Sequence, residues 1–546
     1  MLIIQHFRLL STTAILLVTL TIAAMDNDAS QLHIKADSPA PFKLDATTII
    51  NYKKKCLEGH PDGILEANFS SNGNRILSQC QGTTANEALL WDGKTGEKIA
   101  TLTSCFNPDT NVPDTFMFSP NSSRIAAEGK RTRLWNWQDG KEVSTLPEGP
   151  RSGWALKFSN DSNFLASGNT NILLSDGETG QTIKIIQGSG SNINALAFNS
   201  QGTRLFTKNF GNMTLYDVQT GKSIQSIPLT NNFENTEAIA FSPNGNQLIC
   251  GPTPQNDFIL LNTATGDKIS QFKGNFDLYF SKIFSPNGDL IACRSEDNDH
   301  KDVYLYDSHT GHEVAVLTGH SNAVSVINFS PDNNLLVSGS QGETENLFLW
   351  NAKTQKKITE LKGHSSKIFL VGFSPDNSRM FSLSQDKTIL WNTHTGQQIW
   401  SLSQPSGLRL QFSPDSKLVF ITINANRNNI IVLDAKTGEL VATLQGHVTP
   451  VVVANFSPNS RSIVSGAMGG ESSGPKNNLI LWTLLTNKDN RLLKQLAKGS
   501  ESKKTFIHEL CDAKNGNQDI QPLIESEIFK SFSPTIQTWL KNIFLA

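Results

Sequence analysis

Short alternating runs of apolar and polar residues recur along this chain, with Pro, Asp, Asn and Gly clustered between them. The stretch from Gly363 to Gly396 shows the pattern most clearly. Runs at Ile368 to Phe373, Arg379 to Ser384 and Thr388 to Trp391 are separated by Ser374-Pro375-Asp376-Asn377 and Gln385-Asp386, and a fourth follows at Gln397 to Leu402. A period of two with turn residues between runs predicts β-strands, and no run here is long enough for a helix. The unit is therefore four short strands joined by tight turns.

The same unit recurs in register. A Phe closes the first run at Phe69, Phe118, Phe158, Phe198, Phe241, Phe284, Phe329, Phe373, Phe412 and Phe456, spaced by 39 to 49 residues. The end of the third run keeps step: Trp91-Asp92, Trp135-Asn136, Ser175-Asp176, Tyr216-Asp217, Leu261-Asn262, Tyr306-Asp307, Trp350-Asn351, Trp391-Asn392, Leu433-Asp434 and Trp482-Thr483. A Thr-Gly pair follows in most copies, as at Thr95-Gly96, Thr220-Gly221 and Thr437-Gly438. Three motifs in one register over hundreds of residues predict about ten repeats of one supersecondary unit. The array overrides the several ordinary domains that length alone would suggest.

With Gly363-His364 near its start and Trp391-Asn392 near its end, the unit resembles the WD-repeat β-propeller family, in which each repeat supplies one four-stranded blade. The fold this implies is all-β: a propeller of about ten WD-like repeats, in one large ring or in two smaller ones, with a small helical tail. The resemblance further implies a structural network of His364, Ser382, Asp386 and Trp391, although Asp386 stands one residue closer to Trp391 than the family pattern usually allows. At the start of a unit Gly-His recurs at Gly59-His60, Gly319-His320 and Gly446-His447, and of the four units so opened that of His364 has an Asp partner in view. The other blades are expected to hold by packing. The orphan run before Gly59, Ile49 to Leu57, is expected to complete the last blade beside the strands around Phe456 to Trp482.

Insertions fall between the second and third runs at 79–87, 294–302, 341–346, 424–429 and 466–478. Family geometry puts them on the Gly-His face, which such proteins use for partners. If the ring closes, the loops of the last two units and the first adjoin, and recognition is expected there, with Asn424, Arg427, Asn429, Met468, Glu471 and Lys476 as candidate partner-binding residues.

The formal charge of −2 gives the chain no electrostatic reason to seek nucleic acid. Leu9 to Ala24 is an apolar run that reads as a signal peptide (1–24) or, uncleaved, as a membrane anchor; 25–46 reads as a linker, 47–486 as the propeller and 487–546 as a helical tail. The expected location is therefore exported, periplasmic or secreted, or membrane-anchored through residues 9–24. In the tail, Ser533 caps and Pro534 opens a helix with Ile536, Trp539, Leu540, Ile543 and Phe544 on one face. Asp297, Asp299 and Asp302 pose a metal question but lack the spacing of a calcium loop, and His508-Glu509 lacks the second His of a zinc-protease helix, with Asp512 in its place. Cys250 and Cys293 occupy the position that Ser338 and Ser382 fill in other units and read as packed thiols; Cys56, Cys80 and Cys105 could meet across the seam. No catalytic elbow or cofactor motif is present. The expected function is a non-catalytic protein-interaction scaffold with a protein partner and no cofactor, of which an exported assembly factor would be one version. The alternative is an exported propeller acting on a small ligand, or as a hydrolase, through its central channel.

Overall fold

A computed structural model describes residues 52–80, 87–104, 115–129, 131–147, 155–188, 190–209, 211–228, 239–251, 257–273, 284–294, 301–342, 346–403, 409–423, 429–469 and 478–484, and in the tail 506, 510, 521–532 and 534–544. Ten antiparallel sheets follow one another along the chain, and nine of them have four strands. The repeats form one ten-bladed propeller ring. Blade 1 spans 64–103, blade 2 116–145, blade 3 156–186, blade 4 193–228 and blade 5 239–273. Blade 6 spans 290–317 and shows three strands, with Phe284 bridged to Ile291. Blades 7, 8 and 9 span 324–360, 368–403 and 410–444.

Blade 10 closes the ring. Its first three strands are Val451–Phe456, Ser462–Ala467 and Leu479–Leu484, and its outer strand is Tyr52–Cys56, which pairs Tyr52 with Leu484 and Cys56 with Ile480. The orphan strand thus lies where the resemblance implied, while residues 49–51 fall outside the described range. The first strand of blade 1 packs against the first and second strands of blade 10, so the array is one circle.

The strands are short because two turns with recurring chemistry punctuate the repeats, the second being absent from blade 10, whose fourth strand comes from the start of the propeller. In the first, a Ser after the Phe accepts from the residue that opens the second strand, as Ser374 Oγ does from Arg379 N–H at 3.0 Å, while donating to Asp376. In the second, the Asp or Asn after the Trp position gathers the Thr-Gly turn: Asp217 Oδ1 accepts Thr220 N–H at 2.7 Å and its hydroxyl at 2.8 Å. Such side-chain acceptors satisfy turn amides that would otherwise need water.

The core is divided into ten wedges, one at each blade interface. Leu77, Leu90 and Leu102 of blade 1 meet Phe116, Ile125 and Trp135 of blade 2. Val453, Val464 and Leu481 of blade 10 meet Ile64, Ile76 and Trp91 of blade 1. Each fully buried Leu, Ile or Phe contributes roughly 1.5–3 kcal/mol, so closure is driven by the same apolar burial as every other seam.

Three helices stand in the described part of the tail: α1 (Gln521–Glu525), α2 (Glu527–Lys530) and α3 (Pro534–Phe544). Phe506 lies 6.2 Å from Phe529 and 5.9 Å from Phe532, ring centre to ring centre, so the tail has an apolar nucleus of its own. Ser533 and the side chains of Trp539, Ile543 and Phe544 lie outside the described residues, as does the apolar run Leu9 to Ala24.

Candidate functional site

Chemistry-bearing side chains gather first around the Gly-His turns. In blade 8, Trp391 Nε1–H donates to Ser382 Oγ at 2.7 Å, and Ser382 Oγ lies 2.5 Å from His364 Nε2. The other ring nitrogen, Nδ1, is 2.7 Å from Ser384 Oγ, and Ser384 donates to the Asp386 carboxylate. With Ser384 donating onward, Nδ1 carries the hydrogen and Nε2 accepts from Ser382. Asp386 itself stays 3.6 Å from His364 and acts through Ser384, two residues before it, in keeping with its position one residue closer to Trp391 than usual.

Burial holds His364 down to about 4, against an opposing pull from Asp386, so the ring is neutral at physiological pH. Burial pushes the Asp386 carboxyl up, but hydrogen bonds from Ser384, Ser365 and Ser366 outweigh it and keep the group well below the ordinary carboxylate value. Ser382 and Ser384 are fully buried and His364 nearly so, while Asp386 is partly exposed at the end of the chain.

Three more blades carry the same lock, which the sequence reading missed. His60, His320 and His447 each lie 2.7 Å from Ser78, Ser338 and Ser465, and Trp91, Trp350 and Trp482 donate to those serines at 2.7–2.8 Å. In all four blades the His precedes its Ser by 18 residues, a constant interval that could have found them. The lock does not depend on Asp. Elsewhere the serine's place is taken by Ala127, Ser167, Thr207, Cys250, Cys293 and Ile421. Burial raises the thiol of Cys250 to about 12 and raises Cys293 as well, as befits packed side chains.

The second gathering is at the closing seam, on the face carrying the Gly-His loops. Asn478 Nδ2 donates to Asp62 O at 3.2 Å, and Met468 N–H donates to Pro450 O at 2.9 Å. Thr449 Oγ1 donates to Met468 O at 2.5 Å. Gly63 and Gly469 approach so closely that a side chain on Gly63 would strike the Gly469 backbone. The loops leading into blades 1 and 10 and the insertion of blade 10 are thus brought side by side. On this platform Met468 is 44% and Val448 58% exposed, and Leu65, at the start of the first strand of blade 1, is 41% exposed.

Of the candidate partner-binding residues, Met468 stands on this platform and Asn429 opens the third strand of blade 9 opposite Ile423. Asn424, Arg427, Glu471 and Lys476 lie outside the described residues. Among the described residues no three His, Cys, Asp or Glu side chains could hold a metal ion; Asp297 and Asp299 lie outside them. Cys56 and Cys80, which could have met at the seam, are not joined by a disulfide, and Cys105 is outside the described range.

Ring and locks together define a β-propeller built on WD-like repeats. The family model "WD domain, G-beta repeat" matches residues 311–351, 355–392 and 438–471, which lead into blades 7, 8 and 10, three of the four locked blades. Over 292 residues the chain is 23% identical to the serine-threonine kinase receptor-associated protein of Homo sapiens, covering 52% of this chain and 79% of that protein. It is 27% identical over 183 residues to the WD repeat-containing protein SL1-17 of Schistosoma mansoni, covering 32% of this chain and 58% of that protein. The crystal structure of the C-terminal WD40 domain of Sif2 is similar at 14% identity and a TM-score of 0.43, covering 80% of this chain and all of that one.

Proposed function

We propose that this protein is a non-catalytic interaction scaffold whose recognition surface is the platform at the closing seam, formed by the loops of blades 10 and 1. The observation that carries this reading is the pairing of exposed Met468 and Val448 with a backbone fixed by the Asn478, Thr449 and Pro450 contacts. Apolar side chains held out on rigid loops bind at a lower ordering cost than flexible ones, and a cluster of them marks an interaction site better than one scattered residue. The relatives that share WD repeats fit a protein partner. The histidines of the four locks are buried and are not presented on this face.

The test is capture of a partner from source cells by the full chain, compared with a Met468→Asp/Val448→Asp variant that keeps the melting temperature of the parent. Loss of a specific partner supports the reading. Undiminished capture refutes the platform, and no specific capture by the parent chain refutes the scaffold. The apolar run at 9–24 supports an exported or anchored chain, and fractionation of source cells with terminal sequencing of the purified protein tests this directly.

A further inference from the structure

The first strands of neighbouring blades pack on one another around the centre of the ring, and one arginine among them has terminal nitrogens that meet no acceptor. Arg409 leads into the first strand of blade 9 (Leu410–Phe412) on the platform side, and its backbone is fixed to the second strand. Its N–H donates to Thr422 Oγ1 at 3.2 Å, and its carbonyl accepts Thr422 N–H at 3.0 Å. The side chain is half-buried and reaches into the next blade, where Nε–H donates to Val452 O at 2.8 Å. Val452 lies two residues beyond Pro450, whose carbonyl holds Met468 on the platform. Arg409 therefore stands at the channel edge of the platform.

Among the described residues neither Nη1 nor Nη2 of Arg409 has an acceptor, and no carboxylate lies within ion-pair distance of them. The Nη atoms are not sealed in, for they keep contact with solvent. Residues 404–408 and 424–428, which flank Arg409 and Thr422 in the chain, include no Asp or Glu. Burial pulls the guanidinium down to about 10, against an opposing pull from Glu66 of blade 1, and Glu66 accepts from Asn68 Nδ2 at 2.6 Å. The arginines of the opposite face are neutralised: Arg75 lies 3.2 Å from Asp92, Arg124 2.9 Å from Glu178 and Arg204 2.7 Å from Asp217. A guanidinium drawn partly out of water costs stability unless an anion meets it. At Arg409 the place for that anion is open.

We propose that Arg409 receives the carboxylate of an Asp or Glu side chain in the partner segment that lies on the platform, an inference that rests on the platform being the recognition surface. Val452 O holds Nε and so orients the fork, leaving Nη1 and Nη2 to donate side by side, the geometry a carboxylate accepts. Met468 and Val448 take apolar side chains of the same segment. In blade 8, Lys367 Nζ lies 5.8 Å from the centre of the Phe369 ring and adds positive charge at the start of the adjoining first strand. The partner chemistry is thus an apolar stretch with an acidic residue beside it.

The test pans the full chain, Arg409→Gln and the Met468→Asp/Val448→Asp variant against random peptides displayed on phage through their C-termini. Peptides selected by the parent should carry Asp or Glu beside apolar residues. In fluorescence anisotropy, replacing that acid by its amide should weaken binding to the parent by about tenfold and leave the already weaker binding to Arg409→Gln unchanged. Arg409→Met, which removes a desolvated charge, should melt no lower than the parent; a lower melting temperature shows that Arg409 only ties blade 9 to blade 10 and overturns the proposal. Peptides that need Met468 and Val448 but bind Arg409→Gln as well as the parent overturn acid recognition and leave the platform standing. Peptides indifferent to the Met468→Asp/Val448→Asp change overturn both. Selection of no peptide by a parent chain that still captures its partner from source cells overturns acid recognition alone.

Discussion

Blade 8 and blade 5 have the same strand order and nearly the same backbone, yet they are held by different chemistry. In blade 8 a hydrogen-bonded chain runs from Trp391 through Ser382, His364 and Ser384 to Asp386. In blade 5 the equivalent interior is Cys250 and Leu261, packed with Phe206 and Ile227 from the neighbouring blade. The propeller therefore does not need its lock in every blade. What every blade does need is an apolar wedge on both sides, and the lock adds orientation where a Gly-His loop must be fixed to the sheet. Buried polar chains raise the stakes, because breaking one partner strands the others.

That contrast can be tested first where the lock also closes the ring. Trp482→Ala removes a fully buried indole from blade 10 and should cost about 3–5 kcal/mol, against about 2–4 kcal/mol for Leu261→Ala at the same position in blade 5. Chemical denaturation with fluorescence detection measures both, and equal losses would mean that the lock adds nothing beyond volume.

Acid should separate the two kinds of blade next. His60 and His364 are held near 4 by burial, with Lys98 adding to the effect at His60 and Asp386 opposing it at His364, whereas an unfolded His titrates near 6.5. The unfolded chain therefore takes up protons that the folded rings refuse. The stabilisation is complete above pH ~6.5 and is lost as pH falls from there to about 4, on the order of 3 kcal/mol for each ring at the lower end. Exchange profiles collected from neutral pH to pH 4.5 should show blades 1 and 8 losing protection ahead of blades 5 and 9. Simultaneous loss in all four would break the distinction.

A smaller and opposite pair of effects concerns serine. Ser465→Ala leaves the Trp482 indole N–H buried without its acceptor and should cost about 1–3 kcal/mol. In blade 3, Ser175 is fully buried and among the described residues its hydroxyl has no hydrogen-bond partner, so Ser175→Ala should be neutral or stabilising by up to ~1 kcal/mol. Thermal melts of the two variants, run side by side, decide whether the serine matters only inside a lock. Last, Met468→Ser on the exposed platform should change stability by no more than ~0.5 kcal/mol while weakening partner capture. A large drop in melting temperature would mean that Met468 supports the ring itself.

Much of this architecture was legible in the chain because three motifs repeat in register. The Phe at the end of each first strand and the Trp-Asp position at the end of each third strand marked every blade, and the orphan strand before Gly59 disclosed how the ring ends meet. Ser382 was named in its network and Ser338 only as the counterpart of two cysteines, while Ser78 and Ser465 escaped notice because Ser is common in this sequence and only its constant interval from His singles it out. The hydrogen bonds that run from the first turn of one blade to that of the next were invisible for another reason. Ser122, Asn333 or Ser416 each look like ordinary turn residues, and their role appears only when the preceding blade, 40 or more residues away in sequence, is set beside them. The platform was only partly legible: Met468 was named from its loop, while Val448, Thr449 and Pro450 belong to the Gly-His approach and join it through folding.

The pairing of Tyr52 with Leu484 has a consequence for synthesis. The outer strand of blade 10 leaves the ribosome before any blade exists, yet its partner follows more than four hundred residues later. At translation rates of about 5–20 residues per second, the strand must wait roughly 20–90 s before it can pair. Blades 1 to 9 can close on themselves as they emerge, but through that interval the apolar flanks of the first and last wedges have no neighbour. The three consecutive lysines at 53–55 keep the waiting strand charged and poorly suited to pairing with a stray edge, so one short segment serves first as a guard against misassociation and afterwards as the clasp of the ring.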